Sequence, residues 1–111
     1  MKAMKVDGIQ LIPETISHLK GRGVYTIIVF VDGKSILSSK PLGLLCKRFG
    51  LMRIHKSTAI NPTYVREIDP FDRIVMRLGD TMEPSRRQKT TVITRLTTLL
   101  KQRHASKNSI H

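Results

Sequence analysis

The stretch 24–38 constrains the fold of this chain more than any other part of the sequence. A run of β-branched and aromatic residues over 24–31 is followed by Asp32-Gly33 and then by a second short run over 34–38. β-branched residues favour extended backbone, and Asp-Gly between two such runs suits the positive φ values of a type I′ turn. The sequence therefore predicts an antiparallel β-hairpin that turns at Asp32-Gly33.

Further segments with alternating or β-branched patterns predict a mainly antiparallel domain around this hairpin. Short strands are expected at 8–12, 16–19, 51–57, 64–68, 73–78 and 81–83. The period changes after Ser39, because Leu42, Leu45, Cys46 and Phe49 are spaced to share one face of a helix. Gly50 suits the C-terminal end of that helix.

A second helix is predicted to begin at Ser85. Ser85-Arg86-Arg87-Gln88 has the spacing of a capping box, with a hydroxyl N-cap and a side-chain amide three residues later. An apolar stripe at helical spacing follows, formed by Val92, Ile93, Leu96, Leu99 and Leu100. The predicted fold class is mostly β with two short helices in an elongated antiparallel arrangement. The chain is predicted to comprise a flexible lead over 1–7, one domain over 8–102 and a polar tail over 103–111.

The charge of the chain favours a polyanionic partner. Twenty Lys and Arg residues against eight Asp and Glu give a formal net charge of +12. Acidic residues are missing between Asp32 and Glu67 and again after Glu83, which leaves two uninterrupted basic stretches. Such a distribution is typical of proteins that bind nucleic acid.

The sequence gives little support for catalysis or for a metal or cofactor site. His55 and Ser57 would share a face of an extended strand, but their side chains would lie too far apart for proton transfer. The four histidines lack the spacing of metal ligands, and no glycine-rich phosphate loop is present. We therefore expect a protein with no catalytic activity, no metal and no cofactor.

Cellular location is expected to be cytoplasmic. Cys46 is the one cysteine, so the chain forms no internal disulfide and fits a reducing compartment. No apolar run has the length of a signal peptide or of a membrane span, so we expect no membrane association.

Two clusters are candidate nucleic-acid contacts. Arg86 and Arg87 would fall in the first turn of the last helix, where the helix dipole disfavours cations unless they meet an anion. In the other cluster, Arg53, His55 and Ser57 face outward from a half-buried strand, and Lys56 lies at its end. Both clusters supply donors for phosphate oxygens or for a base edge.

The order of these motifs resembles a known family. The stretch 52–68 reads MRIHKSTAINPTYVREI, and it is similar to the signature of the LytTR-type DNA-binding domains of bacterial transcriptional regulators. Ser85-Arg86-Arg87 resembles the step into the final helix of that family. The resemblance covers roughly residues 8 to 102 and includes the hairpin turn and the helix before the signature.

The resemblance implies an elongated β fold that binds double-stranded DNA through loops that enter the major groove, often as the output domain of a response regulator. It places base contacts at Lys56, Arg87 and Tyr25, with His55, Ser57 and Arg86 as supporting or phosphate contacts. Either a homodimer or two copies bound in tandem on DNA fits the resemblance. The chain departs from the family at Lys56, which is often Arg or Asn, and at Tyr25, which is His in some members.

Two alternatives stay open on the sequence. A basic RNA-binding protein would carry a similar charge, although RNA binding usually needs exposed aromatic residues that stack on unpaired bases. A protein-interaction module for acidic partners is the other. No receiver domain precedes the signature, so we expect control by phosphorylation to come from outside these 111 residues.

Overall fold

A computed structural model describes residues 2–108 of the chain, with side chains up to residue 104. Within that part, the chain forms ten short strands. They are β1 (Met4–Val6), β2 (Ile9–Leu11), β3 (Ile16–Arg22), β4 (Tyr25–Phe30), β5 (Ser35–Ser38), β6 (Met52–His55), β7 (Thr58–Ile60), β8 (Val65–Ile68), β9 (Ile74–Met76) and β10 (Thr81–Met82). Two α-helices accompany them, α1 (Leu42–Phe49) and α2 (Lys89–Asn108). All strand pairs are antiparallel, which confirms the predicted fold class.

The largest sheet has five strands in the order β5-β4-β3-β7-β6. Its central strand, β3, extends the weak prediction at 16–19 to Arg22, and it pairs with both β4 and β7. β4 and β5 form the predicted hairpin. β7 is a separate strand that the sequence did not reveal, because its three residues follow β6 after a turn of only two residues.

The hairpin turn differs in type from the prediction. Gly33 has a φ of 89°, whereas Asp32 is not among the residues with positive φ. The Gly33 N–H donates to the Phe30 carbonyl at 2.9 Å, and the Phe30 N–H donates to the Lys34 carbonyl at 2.8 Å. This pattern fits a three-residue loop with one glycine in the left-handed region, rather than a type I′ turn. The Asp32 carboxylate also accepts from the Lys34 N–H at 2.9 Å, which forms an Asx turn across Gly33.

The segment 1–7, predicted as a flexible lead, contributes a strand to the structure. β1 pairs with β2 around Asp7 and Gly8, which both have positive φ. The Asp7 carboxylate accepts hydrogen bonds from the Ser38 hydroxyl at 2.7 Å and from the Ser39 N–H at 3.0 Å. These bonds lower the pKa of Asp7 and hold the β1–β2 hairpin to the end of β5. The prediction missed them because they join positions far apart in sequence.

The five-stranded sheet buries apolar side chains on both faces. Ala59 packs with Leu45 and Phe49 of α1. The next residue, Ile60, packs with residues of β8, β9, β10 and α2. Successive residues of a strand point to opposite faces, so this single step along β7 divides the interior into two clusters. A three-stranded sheet, β10-β9-β8, and α2 cover the second face.

α1 matches its prediction closely. Leu42, Leu45, Cys46 and Phe49 are all buried, and Gly50 ends the helix with a φ of 67°. Its position over β3, β6 and β7 brings Gly43 beside Arg53 of β6.

α2 begins later and ends later than predicted. The residues 86–88 form a turn before the helix, which starts at Lys89. The helix continues into the predicted tail as far as Asn108, while 109–111 lie outside the described residues. Arg103 explains the extension, because its guanidinium donates to the carbonyls of Val65 and Pro62, both at 2.9 Å. This side chain ties the far half of α2 to the domain.

His18 links the five-stranded sheet to the three-stranded sheet. Its ring is fully buried, with Nε2 lying 3.3 Å from a carboxylate oxygen of Asp80 and Nδ1 lying 2.9 Å from the Ser17 hydroxyl. Asp80 lies between β9 and β10 and also pairs with Lys20 at 3.4 Å. Burial lowers the pKa of His18 from its ordinary 6.5, the Asp80 carboxylate opposes this shift, and Lys20 adds to it.

We expect the folded protein to lose stability as pH falls below about 6.5, the ordinary pKa of histidine. In that range the unfolded chain takes up a proton at His18 that the folded chain resists, so acid favours unfolding. Thermal melts between pH 7.5 and 5 measure the effect. His18→Gln should flatten this pH dependence, whereas His104→Gln, at an exposed position on α2, should keep it. An unchanged pH dependence in His18→Gln would contradict the assignment.

Candidate nucleic-acid interface

The turn between β6 and β7 presents Lys56 at the surface. β6 ends at His55, and Lys56 and Ser57 form the turn that leads into β7. His55 Nδ1 accepts from the Ser57 N–H at 3.2 Å and lies 3.0 Å from the Ser57 hydroxyl. Because Nδ1 accepts a backbone hydrogen bond, the neutral ring carries its proton on Nε2. The turn is therefore held by an imidazole, and the Lys56 side chain is left exposed.

The distance between His55 and Ser57 corrects the expectation from sequence. An extended strand would have kept the two side chains apart, but the chain turns at Lys56 and brings them into hydrogen-bond contact. Ser57 uses this contact, together with its own N–H, to hold the turn.

Arg53 supports the same turn from the neighbouring surface of β6. Its Nε donates to the His55 carbonyl at 3.3 Å, and one terminal nitrogen donates to the Lys56 carbonyl at 2.6 Å. Two donors of one guanidinium thus reach consecutive carbonyls of the turn. Arg53 was predicted to contact DNA, and the structure directs two of its nitrogens to the protein backbone.

The β3–β4 hairpin lies against one side of the turn and carries Tyr25. Its turn consists of Gly23, with a φ of 62°, and Val24, and a positive φ at the first position is what a type II′ turn requires. The Gly21 N–H donates to the Ser57 carbonyl at 2.8 Å. This bond fixes the base of the hairpin to the β6–β7 turn. The Tyr25 side chain is 48% exposed at the start of β4, so it is available to a partner.

The segment before α2 lies against the other side. The Ser85 N–H donates to the Ile54 carbonyl at 2.7 Å, which joins this segment to β6. The Ser85 hydroxyl accepts from the Gln88 N–H at 3.2 Å, as in the predicted capping box. This hydrogen bond lies before the helix. In a complete capping box the Gln88 side chain would also accept from the Ser85 N–H, but here the Ile54 carbonyl accepts from that group. Arg87 is thereby placed next to His55 and Lys56.

Two adjoining clefts result from this arrangement. The Tyr25 cleft is lined by residues that include Val24, Tyr25, Gly43, Arg53, Lys56 and Ser57. The Arg87 cleft is lined by Arg53, His55, Lys56, Ser85, Arg87 and Gln88. Arg53 and Lys56 line both clefts, so the two clefts are neighbours on the surface. Among the described residues that line them, three are cationic and none is acidic.

Arg86 lies elsewhere. It lines a separate cleft with Phe71, Asp72, Glu83 and Lys89, among others, where acidic and basic residues are mixed. Arg86 and Arg87 were predicted to lie together in the first helical turn, and this prediction is wrong. Both precede α2, and they face different clefts, so the helix dipole does not explain them.

Three positions of the interface were missed on the sequence. They are Gly43, Gly21 and Gln88, of which only Gln88 was given a role from the sequence, as a capping residue. Gly43 lies under the Arg53 guanidinium, and Gly21 lies against Ser57. Glycine within a strand or a helix is a signal of such close approach, although it does not identify the neighbour.

Two negative findings apply to the part of the chain that the structure describes. No group of three or more His, Cys, Asp and Glu side chains there is arranged to hold a metal ion. Neither described helix combines the length and the apolar character that a membrane crossing requires.

A small antiparallel β domain that presents cationic turns along clefts without acidic residues has the electrostatic character of a nucleic-acid-binding module. Comparison with protein families gives the particular family. The family model described as LytTr DNA-binding domain matches residues 7–97, so the chain belongs to the LytTR DNA-binding domain family. This confirms the resemblance seen in the sequence, and it makes the chain a DNA-binding domain of the type found in transcriptional regulators.

A solved structure shows the same fold. It is the LytTr DNA-binding domain of a protein assigned as a methyl-accepting/DNA response regulator from Bacillus cereus. The match has a TM-score of 0.66 at 15% sequence identity and covers 87% of this chain and 94% of that chain. Comparison with curated proteins found no match.

Proposed function

We propose that this domain binds double-stranded DNA sequence-specifically, as the output domain of a bacterial transcriptional regulator. One observation carries the proposal. Three separate segments, the β3–β4 hairpin, the β6–β7 turn and the segment before α2, converge on two neighbouring clefts that are cationic and lined by no acidic side chain. Hydrogen bonds from Gly21 and Ser85 to β6–β7 backbone carbonyls hold the three segments in fixed relation. A fixed set of donors favours readout of a particular sequence over nonspecific attraction.

Each segment has a role in this proposal. Arg87 and Lys56 contact base edges in the major groove, and Tyr25 contacts bases or sugar from the hairpin side. Arg87 offers a planar pair of donors that suits the O6 and N7 atoms of guanine. Lys56 offers a compact charge with rotatable donors and therefore discriminates less between bases. His55 Nε2, Ser57 and Arg86 supply supporting or phosphate contacts.

Other features of the proposal concern the whole protein. We infer a non-catalytic, cytoplasmic domain that acts as a homodimer or as two copies in tandem on DNA. The His55–Ser57 contact favours a structural role over a catalytic one, because the Ser57 N–H competes with its hydroxyl for the same nitrogen.

The direct test is selection of bound duplexes from a random pool, followed by polarisation measurements. The duplex recovered in this way is called the selected duplex, and a shuffled duplex of the same base composition is its control. We expect binding to the selected duplex to be tighter by about 10³-fold or more, which is the lower end for specific DNA-binding proteins. Binding should also weaken steeply with salt, with a slope of about −0.9 per phosphate neutralised.

Competition distinguishes the other candidate functions. Structured RNA that displaces the selected duplex at equal concentration would favour an RNA-binding protein. Equal affinity for the selected and the shuffled duplex would remove sequence-specific binding from the proposal. Absence of binding to either polymer, together with binding to acidic protein partners, would indicate an interaction module.

A further inference from the structure

We infer that Arg53 is a positioning residue that holds Lys56 in place for DNA, and that Gly43 of α1 is required because it leaves room for the Arg53 guanidinium. The inference rests on the proposed function, and it differs from the direct DNA contact expected for Arg53 from the sequence. It makes α1, which supplies no predicted contact, part of the machinery of recognition.

The first observation is where the nitrogens of Arg53 point. Nε and one terminal nitrogen donate to the carbonyls of His55 and Lys56, at 3.3 and 2.6 Å. These carbonyls belong to the two peptide units that flank the Cα of Lys56, one entering the residue and one leaving it. A planar guanidinium with donors in fixed directions therefore sets the path of the backbone at the tip of the turn. The Lys56 side chain projects from that backbone.

The second observation concerns Gly43. A Cβ built on Gly43 would lie 2.9 Å from the second terminal nitrogen of Arg53, closer than real Cβ contacts allow. The atom in the way is the end of a flexible side chain, so the guanidinium would move and the helix would stay. Gly43 does not have a positive φ, so backbone conformation does not require glycine there. Alanine is also the better helix former, so close approach is the reason the structure offers for glycine at this position.

The third observation is that the remaining bonds of the turn do not replace Arg53. Ser57 is held by His55 Nδ1 and by the Gly21 N–H, on the side of the turn that leads into β7. Loss of the guanidinium would leave that side fixed and would remove the side-chain donor from the carbonyls of His55 and Lys56. The expected consequence is a Lys56 that is present and charged but poorly placed.

Gly43→Ala is the sharpest test, because it changes no charge. We expect the preference for the selected over the shuffled duplex to fall about tenfold, as for the loss of one charge-assisted hydrogen-bonded constraint. Thermal stability should stay the same or rise. Amide resonances of Lys56 and Ser57 should move in the NMR spectrum of the free protein. Leu44→Ala, at an exposed neighbour on the same helix, is the matched control and should change neither the preference nor these resonances.

Variants of Arg53 complete the test. Arg53→Ala and Arg53→Lys should both lose preference, because lysine keeps the charge but cannot reach two carbonyls with a planar fork. Arg95→Ala removes a charge from an exposed position on α2 and should lower affinity for both duplexes alike. In the Arg53→Ala background, adding Gly43→Ala should have no further effect, since both act through one side chain.

Two results would overturn the inference. One is a Gly43→Ala protein with unchanged preference and unchanged Lys56 and Ser57 resonances, and the other is a Gly43→Ala effect that persists in the Arg53→Ala background. If the wild-type protein itself does not prefer the selected duplex, the proposed function fails. The amide resonances of Lys56 and Ser57 in the free Gly43→Ala protein then show whether Arg53 positions the turn.

Discussion

Replacing Arg87 with alanine is expected to weaken binding to the selected duplex by about 1–3 kcal/mol, the cost of removing one arginine that reads a base. Arg87 lies in the Arg87 cleft beside Lys56 and His55, and no acidic residue lines that cleft. The hydrogen bond from the Ser85 N–H to the Ile54 carbonyl holds this segment against β6. Affinity for the shuffled duplex should fall much less, because that duplex offers Arg87 only phosphate. Polarisation titrations with the two duplexes at one salt concentration measure both losses.

Arg86→Ala is the matched control for this prediction. It removes the same charge from the adjacent position, but from a cleft that also contains Asp72 and Glu83. A phosphate contact at Arg86 would lower affinity for both duplexes equally and leave their ratio intact. An Arg86→Ala protein that loses the preference while Arg87→Ala retains it would reverse the assignment of the two arginines.

Replacing Leu96 with alanine is expected to cost about 2–5 kcal/mol of folding free energy, as truncation of a buried leucine usually does. Leu96 is 1% exposed and packs with Ile54, Ile74 and Met76 between α2 and the two sheets. For a domain whose total stability is about 5–15 kcal/mol, this is a large fraction. Urea denaturation of the wild-type and variant proteins gives the difference in the free energy of unfolding.

Leu99→Ala tests whether the stability lost in Leu96→Ala comes from the burial of Leu96 or from a change in the intrinsic stability of α2. Leu99 lies on the same helix but is 37% exposed, so the same truncation should cost less than half as much. Equal losses at the two positions would show that α2 is stabilised by its own sequence and not by packing of its buried face. Both variants leave every interface side chain unchanged, so residual DNA binding in the folded fraction should keep its preference.

These predictions depend on the way the interface is built. Arg87, Lys56 and Tyr25 come from three segments, and backbone hydrogen bonds to the β6–β7 region hold all of them. The two hydrophobic clusters support the same region from opposite sides, since Ala59 belongs to one and Ile54 and Ile60 to the other. Both clusters therefore contribute to the stability of the strands that carry the interface.

The local elements of the fold were predictable from the sequence, because their signals lie within a few residues. The β4–β5 hairpin, the buried face of α1 and the alternation of Met52 and Ile54 inward with Arg53 outward all appear in the structure. The signature stretch 52–68 and the step at Ser85 also identified the family. The errors in the N-terminal strands, the start of α2 and its end occurred where a bond to a distant residue decides the outcome. Asp7 orders the first strands through Ser38, Ile54 takes the N–H of Ser85, and Arg103 extends α2.

The sequence by itself determined most of the strands, the presence of both helices, the basic character and the family of this domain, since these follow from local periodicity, total charge and motif order. Tertiary structure alone decided that Arg87 joins Lys56 in one cleft while Arg86 does not, and that Arg53 lies between Gly43 and the carbonyls of the β6–β7 turn. The physical reason is that side-chain direction at an interface depends on how non-neighbouring segments pack. Local pattern carries no information about that packing.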